Sequence, residues 1–433
     1  VERRYFGTDG VRGVAGEFPL TAEFVLRLGQ AAGAYFRRLT PKPTVLLGKD
    51  TRESGDFLEA ALAAGLLSQG VRVEHLGILP TPGVAYLTRA LEATAGVVIS
   101  ASHNPYQDNG IKFFGPGGEK FPDEAEAEIE ANLEGSLPKA SLGVVSDFRE
   151  AERLYLEFLR AQGTSLEGLK IAIDCANGAT FHLAPKLFQS LGAEVFALYV
   201  SPDGKNINKG CGSTHPETLQ RIVREGGFDL GIAFDGDGDR ALFVDRQGRI
   251  VHGDHILYRH ALERKEPGVV GTLMSNMALE LRLNEAGIEF VRAPVGDRYV
   301  LEALKARGLR LGGEPSGHVI FLDRSTTGDG MLTALLSLSL LRQTGEDLTS
   351  WYEALPMYPQ LLKSIPVSDK AKLVEHPLLQ EGIREAERRL AGQGRINVRP
   401  SGTEPLVRVM VEGPAELAEA ISAELTALIQ KLQ

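Results

Sequence analysis

Three stretches of the chain repeat one hydrophobic rhythm. TVLLGKDTRESGDFLEAALAAGLLSQGVRVEHLG from Thr44, KIAIDCANGATFHLAPKLFQSLGAEVFALYV from Lys170 and GVVGTLMSNMALELRLNEAGIEFVRAPV from Gly268 each open on an apolar run. Each then crosses a small or polar turn and continues with apolar residues at helical spacing. The rhythm stops at a glycine before another strand-like run: Gly70-Val-Arg-Val, Gly192-Ala-Glu-Val, Gly287-Ile-Glu-Phe. Glycine suits the position just past a helix end, where the left-handed conformation is cheap without a Cβ. The pattern predicts three strand–helix–strand units, with parallel pairing and right-handed crossovers. Their domain-sized spacing excludes a solenoid, whose period is about 20–50 residues.

The tail reads differently. A helical LLQEGIREAERRLAGQG precedes RINVRPSGTEPLVRVMVEG, two strand-like runs around a polar loop, and the amphipathic AELAEAISAELTALIQKL closes the chain. The expected fold class is α/β, with three similar mixed-sheet α/β domains and a smaller C-terminal α+β domain. Expected domains are 1–150, 151–252, 253–365 and 366–433, with linkers near Ser141–Ala151, Gly248–Asp254 and Pro359–Asp369.

The length of 433 residues is too great for one core and agrees with several domains. No run approaches the roughly 20 apolar residues that span a bilayer, so no membrane partner is expected. VERRYFGTDG lacks a signal-peptide core, and the two cysteines, Cys175 and Cys211, suit a reducing compartment; both observations point to the cytoplasm. A net charge of −10 argues against a nucleic-acid partner. An acidic protein that binds an anion must concentrate positive charge locally, and Arg399 and Arg408 are the obvious place.

Four islands carry chemistry. In ATAGVVISASHNPYQDNGIKFF an apolar run ends at Ser100-Ala-Ser102-His103-Asn104-Pro105. A hydroxyl at a strand's carboxyl end lies where open α/β sheets hold ligands, so Ser102 is a candidate phosphoryl carrier, with Lys112 a nearby cation. The competing reading is a polar turn capping a helix.

In DGDGDR, Asp235, Asp237 and Asp239 alternate with glycines and can point three carboxylates at one spot. That is costly unless a cation sits among them, and hard Mg²⁺ prefers oxygen ligands. A calcium EF-hand loop fails at Arg240 and Arg246. Residues 236–241 fit a dinucleotide-binding glycine pattern, but a strand-like run follows instead of a helix, and three aspartates would repel a pyrophosphate. The plain alternative is a solvated acidic turn.

RPSGTEPLVR supplies Arg399, Ser401, Gly402, Thr403 and Arg408: two guanidinium forks, two hydroxyls and an exposed backbone, a set suited to phosphate. Its alternative is a hairpin turn with surface charges. In GGEPSGH, Glu314, Ser316 and His318 alternate, and in an extended loop they share one face. Carboxylate and hydroxyl suit sugar hydroxyls, and histidine suits proton transfer. TTGDG at 326–330 and PVGDRYV at 294–300 are not readable by chemistry alone. No P-loop pattern supports direct use of ATP.

With these islands in this order, and FGTDGVRG at 6–13, the chain resembles the α-D-phosphohexomutase superfamily over essentially its whole length. PVGDRYV, TTGDG and RPSGTEPLVRVMVEG favour the branch that acts on glucosamine phosphate. The resemblance implies four domains around a central active-site cleft. It also implies reversible conversion of glucosamine 6-phosphate to glucosamine 1-phosphate, through a phosphoserine enzyme and a sugar 1,6-bisphosphate that also primes it.

By the same resemblance Ser102 is the phosphorylated serine, and Asp235, Asp237 and Asp239 join its phosphate as Mg²⁺ ligands. Arg399, Ser401, Gly402, Thr403 and Arg408 hold the substrate's other phosphate, Glu314 and Ser316 contact the sugar, and Arg12, His103, Lys112, Arg240 and His318 line the reacting centre. Pro315 departs from the glutamine usual in that branch, and Ala293 from its threonine. The alternatives are a mutase of glucose or mannose phosphates, a non-catalytic phosphosugar-binding protein, and a sugar phosphatase. The oligomeric state stays open, a homodimer among the assemblies allowed.

Overall fold

The computed structural model describes residues 3–402 and 404–433. The first repeat forms strand Thr44–Lys49, helix Ser54–Ser68 and strand Arg72–Ile78, and the two strands pair in parallel. The second forms Lys170–Asp174, Leu183–Ser190 and Glu194–Leu198, again with parallel strands. The third forms Gly268–Thr272, Met277–Glu285 and Glu289–Ala293. All three punctuating glycines are left-handed, with φ of 79° at Gly70, 101° at Gly192 and 74° at Gly287. Local backbone demand alone placed them, because any Cβ-bearing residue pays for that conformation.

Each repeat seeds a sheet. The first has six strands in the order Val11–Val14, Asp108–Phe114, Ala95–Ile99, Thr44–Lys49, Arg72–Ile78, Val145–Asp147. The second has five: Ile250–Val251, Ala241–Val244, Leu230–Phe234, Lys170–Asp174, Glu194–Leu198. The third has four: Glu289–Ala293, Gly268–Thr272, Leu311–Gly313, Val319–Phe321. Parallel central pairs carry antiparallel strands at their flanks, so the sheets are mixed, in agreement with the expected fold class. The C-terminal sheet is a three-stranded antiparallel ribbon, Gln360–Pro366, Leu406–Glu412, Arg395–Pro400, covered by helices Pro377–Leu390 and Ala415–Lys431 through Leu379, Val409, Ile421 and Leu425.

Each expected linker carries a short strand among its loop residues. Ser141–Ala151 contains the edge strand Val145–Asp147, Gly248–Asp254 contains Ile250–Val251, and Pro359–Asp369 contains the seven-residue strand Gln360–Pro366. Edge strands need only one paired side and tolerate polar residues, so their sequences read as connectors.

By packing, the chain divides into two compact units, Val1–Met274 with Val291–Tyr352, and Ser275–Phe290 with Glu353–Gln433. In the second unit Asn276 Nδ2 donates to the Tyr358 carbonyl at 2.8 Å, and the Glu412 carboxylate accepts from Arg395 Nε at 2.7 Å and from the Met277 amide. No helix of the described residues is long and apolar enough to cross a membrane.

In the first unit, His260 on helix Gly253–Arg264 is buried edge-on against Phe321 and Trp351, with its Nε2 3.0 Å from Ser337 Oγ. Burial, with Arg264 and Arg259 nearby, lowers its pKa to about 3 from the ordinary 6.5. The folded form therefore stays neutral while the unfolded chain takes up a proton below pH 6.5, so stability falls as pH falls. Between about pH 7 and pH 5 this one residue costs about 2 kcal/mol. His260→Gln should lose about that much less than the native protein over this interval, measured by urea unfolding at both pH values.

Candidate active site

Strand Ala95–Ile99 is buried throughout and delivers the chain into the serine loop. Ser102 sits at its crest with φ of 52°, a left-handed conformation that costs a non-glycine residue roughly 1–2 kcal/mol. Its amide donates to Ser100 Oγ at 3.0 Å, and that hydroxyl donates to Asp50 Oδ2 at 2.5 Å. Strand Asp108–Phe114 follows the loop, so the serine caps no helix. Ser102 Oγ donates instead to Asp235 Oδ2 at 2.8 Å, across 133 residues of sequence.

Asp235 opens the turn between antiparallel strands Leu230–Phe234 and Ala241–Val244. A strand, not a helix, follows the glycines, which removes the dinucleotide reading. Asp235, Asp237 and Asp239 are 0%, 1% and 8% exposed and bring one oxygen each within 4.8 Å of one another. Burial and the neighbouring carboxylates of Asp239 and Asp237 push Asp235 well above the usual carboxylate range. Burial acts in the same direction on Asp237, but the Lys112 ammonium at 2.8 Å, with Thr81 Oγ1 at 2.6 Å, holds it well below that range. Asp237 Oδ1 and Asp239 Oδ1 are buried without a hydrogen-bond partner. Clustered, dehydrated carboxylates with spare oxygens fit a hard divalent cation.

A cavity of about 240 Å³ opens beside the triad. Arg12, Ser102, His103, Lys112, Asp239, Arg240, Glu314 and His318 all line it, drawn from three different sheets. Arg12 Nε and Arg240 Nε are buried donors with no hydrogen-bond partner, Arg240 Nε lying 4.0 Å from Asp235 Oδ2, a demand that phosphate oxygens would meet. The two histidines are tuned apart. Burial, then Arg240 and Arg12, lower His103, whereas His318, despite burial, is raised by Asp239 and Asp297. His318 Nδ1 lies 3.3 Å from Asp239 Oδ2, and its Nε2 3.7 Å from Asp297 Oδ2.

Glu314 and His318 reach the cavity differently from expectation. Residues 314–317 form a tight turn, not an extended run: the Gly317 amide donates to the Glu314 carbonyl at 3.1 Å, and the Glu314 amide to the His318 carbonyl at 3.0 Å. The two side chains meet because they flank a hairpin turn. Ser316 does not line the cavity, and its hydroxyl is buried without a partner.

Residue-type reasoning missed Asp9 and Asp297, which also line the cavity, and Lys120, whose Nζ joins them at 2.8 Å and 2.6 Å. Asp9 lies in FGTDGVRG and Asp297 in PVGDRYV, both visible as islands but mute about their partners. In TTGDG, Asp329 caps helix Gly330–Thr344 through the Leu332 amide at 3.0 Å and accepts from the Tyr155 hydroxyl at 2.6 Å.

The second unit carries the remaining candidates. Arg399 and Arg408 are direct partners across strands Arg395–Pro400 and Leu406–Glu412. Like charges placed opposite one another are unfavourable, so an anion between their side chains would relieve them. The Arg399 side chain has no hydrogen-bond or ion-pair partner among the described residues, while Arg408 meets Glu404 at 3.5 Å on the surface. Ser401 is buried, and its Oγ accepts from the Glu404 amide at 3.3 Å, so its hydroxyl shapes the loop. Lys370 Nζ donates to the carbonyls of Ser401 and Glu404 at 2.5 and 3.2 Å. Gly402 is exposed; Thr403 lies outside the described residues.

Four domain models of phosphoglucomutase/phosphomannomutase match the chain: alpha/beta/alpha domain I over residues 3–138, domain II over 153–248, domain III over 252–358 and the C-terminal domain over 362–428. The chain belongs to this phosphohexomutase family of sugar-phosphate mutases. Within it, the chain is 67% identical over 430 residues to a phosphoglucosamine mutase of Thermus thermophilus, covering 99% of this chain and 98% of that protein. It is 60% identical over 420 residues to the phosphoglucosamine mutase of Deinococcus radiodurans, covering 96% and 95%. Among solved structures, a phosphoglucomutase/phosphomannomutase family protein from Burkholderia thailandensis superposes with a TM-score of 0.82 at 26% identity, over 98% of this chain and 97% of that one. The Aspergillus fumigatus N-acetylphosphoglucosamine mutase, solved with GlcNAc-6P and magnesium, shares the fold at 18% identity and a TM-score of 0.66, over 99% and 96% of the two chains.

Proposed function

We propose that this enzyme interconverts glucosamine 6-phosphate and glucosamine 1-phosphate, with Ser102 as the phosphoryl carrier. The observation that carries the reading is Ser102 Oγ, 2.8 Å from a buried aspartate triad and facing a cavity lined by Arg12, Lys112 and Arg240. The phosphoryl group on Ser102 passes to O1 of the 6-phosphate: the P–Oγ bond breaks, a P–O1 bond forms, the C1 hydroxyl gives up its proton and Ser102 Oγ takes one up. The resulting 1,6-bisphosphate turns over, its P–O6 bond breaks as a P–Oγ bond forms, Ser102 Oγ gives up its proton and O6 regains one. His103, kept neutral beside Arg12 and Arg240, and His318, kept protonatable beside Asp239 and Asp297, are the groups offered for those proton moves.

Asp235, Asp237 and Asp239 would hold Mg²⁺, which supplies withdrawal of charge from the transferring phosphoryl oxygens. Arg12 and Arg240 orient that group, and Glu314 receives sugar hydroxyls. Ser316 is the weaker sugar contact, since its hydroxyl is buried and it does not line the cavity. Arg399 and Arg408, with Ser401, Gly402 and Thr403, hold the phosphate that is not reacting. A sugar 1,6-bisphosphate would charge Ser102 for the first turnover. Residence in the cytoplasm and the four-domain division belong to the same proposal, which allows a homodimer without requiring one.

Arg399→Ala should lower kcat/KM roughly 10- to 100-fold, chiefly through KM, because a charged hydrogen bond to bound phosphate is lost in ground and transition states alike. Unchanged kinetics would remove Arg399 from the phosphate clamp. The substrate is tested by kcat/KM for glucosamine, glucose and mannose 6-phosphates with Mg²⁺ and a trace of bisphosphate. Pro315, in the turn beside Glu314, is the departure that leaves the neutral-hexose alternative standing, and a higher kcat/KM for glucose or mannose 6-phosphate would establish it.

A further inference from the structure

Ser102 and Asn104 present their backbone carbonyls to two side chains outside the cavity. Asn208 Nδ2 donates to the Ser102 carbonyl at 2.8 Å and to the Asn104 carbonyl at 3.1 Å. Arg52 Nη2 reaches the same two oxygens, at 3.4 and 2.6 Å. Both are buried, Arg52 at 3% and Asn208 at 6% exposure. Arg52 is anchored from behind by the Asp50 carboxylate, which also accepts from Ser100 Oγ. Asn208 comes from the loop ahead of helix Glu217–Gly226, and its amide is fixed on the Ala176 carbonyl at 2.9 Å. Gly236 completes the clasp: a Cβ there would meet the Ser102 carbonyl at 2.4 Å and Asn208 Nδ2 at 2.7 Å, so only glycine lets the aspartate turn approach.

We propose that Asn208 and Arg52 are positioning residues for phosphoryl transfer, aiming Ser102 Oγ by holding the Ser102–His103 and Asn104–Pro105 peptide planes. The Ser102 backbone is left-handed and does not keep that conformation unaided. With both carbonyls held, rotation of the Ser102–His103 and Asn104–Pro105 peptides is blocked, and Oγ stays on the line to Asp235. Carbonyl satisfaction alone would demand one donor per oxygen, and here two donors from separate chain segments converge on each. Misplacing a reacting atom by about 1 Å costs about 100-fold in rate. The clasp does not touch the substrate, so its loss should slow the reacting step and spare binding.

The inference rests on Ser102 being the carrier, and the two fail separately: an active Ser102→Ala variant overturns the carrier, whereas an inactive one beside normal Asn208 variants overturns only the clasp. The test uses full-length Asn208→Ala and the isosteric Asn208→Asp, whose carboxylate would face the two carbonyls with no donor. Arg52→Lys, a cation without the fork, is the companion. Expected are a kcat lowered roughly 30- to 100-fold, KM within threefold, a thermal midpoint lowered by no more than a few degrees, and an equal drop in single-turnover transfer from phosphorylated enzyme to glucosamine 6-phosphate. A kcat within threefold of the native enzyme in both Asn208 variants overturns the proposal. So does a kcat that falls only together with the thermal midpoint and with a rise in KM, the mark of a merely structural prop.

Discussion

Ser102→Ala is expected to abolish mutase turnover, by on the order of 10⁴-fold or more, in a protein that still folds. Alanine offers no oxygen to carry the phosphoryl group, and Thr8, the other hydroxyl lining the cavity, makes no hydrogen bond to the triad. The folded state should tolerate the change. Serine and alanine pay a similar cost for φ of 52°, and the one side-chain bond lost is that to Asp235. Because burial and its neighbours push Asp235 toward its protonated form, that bond is worth less than one to a full carboxylate, about 1 kcal/mol. In a chain of this size such a loss moves the melting midpoint by a few degrees at most, about 2–4 °C per kcal/mol. Labelling with a bisphosphate donor should phosphorylate the native enzyme and not the variant. Turnover by the variant near the native rate would falsify the carrier assignment.

Asp237→Asn should both inactivate the enzyme and destabilise it, for separable reasons. Lys112 is 4% exposed, and its ammonium rests on Asp237 at 2.8 Å. Neutralising that partner strands a buried cation, which typically costs about 3–5 kcal/mol. Relief of repulsion inside the triad acts the other way but is small, since Asp235 is already driven toward its neutral form. The net effect is a lower urea midpoint together with weaker metal dependence. Adding Lys112→Met to Asp237→Asn removes the stranded charge at similar volume, so stability should largely return while activity does not. A single variant as stable as the native protein would sink the account of Lys112. A double variant that regained activity would sink the triad as the metal site.

The elements were open to reading because their causes are local. A helix end calls for a left-handed residue, hence Gly70, Gly192 and Gly287; a strand running into alternating aspartates and glycines announces a hairpin turn, hence Asp235 to Asp239. Edge strands such as Gln360–Pro366 escaped notice, because half-paired backbone imposes little on side-chain pattern. The extended reading of residues 312–318 failed for a related reason. Alternation of polar side chains does not distinguish a strand from a two-sided turn, and the bonds between Glu314 and His318 chose the turn.

What the chain alone determined was its set of reactive groups and the elements that carry them: a hydroxyl at a strand's end, three closely spaced carboxylates, and a polar loop bearing glutamate and histidine. Only the tertiary structure decided the pairings. Ser102 meets Asp235 across 133 residues and Lys112 meets Asp237 across 125; Lys120 binds both Asp9 and Asp297; and Asn208 and Arg52 close on the serine loop. A cation carries no mark of which carboxylate it will meet, and a carbonyl clasp has no side-chain signature at the residues it holds. Local propensity acts through a few neighbouring dihedrals, whereas electrostatic partnership and orientation follow from which segments the folded sheets bring to the same edge.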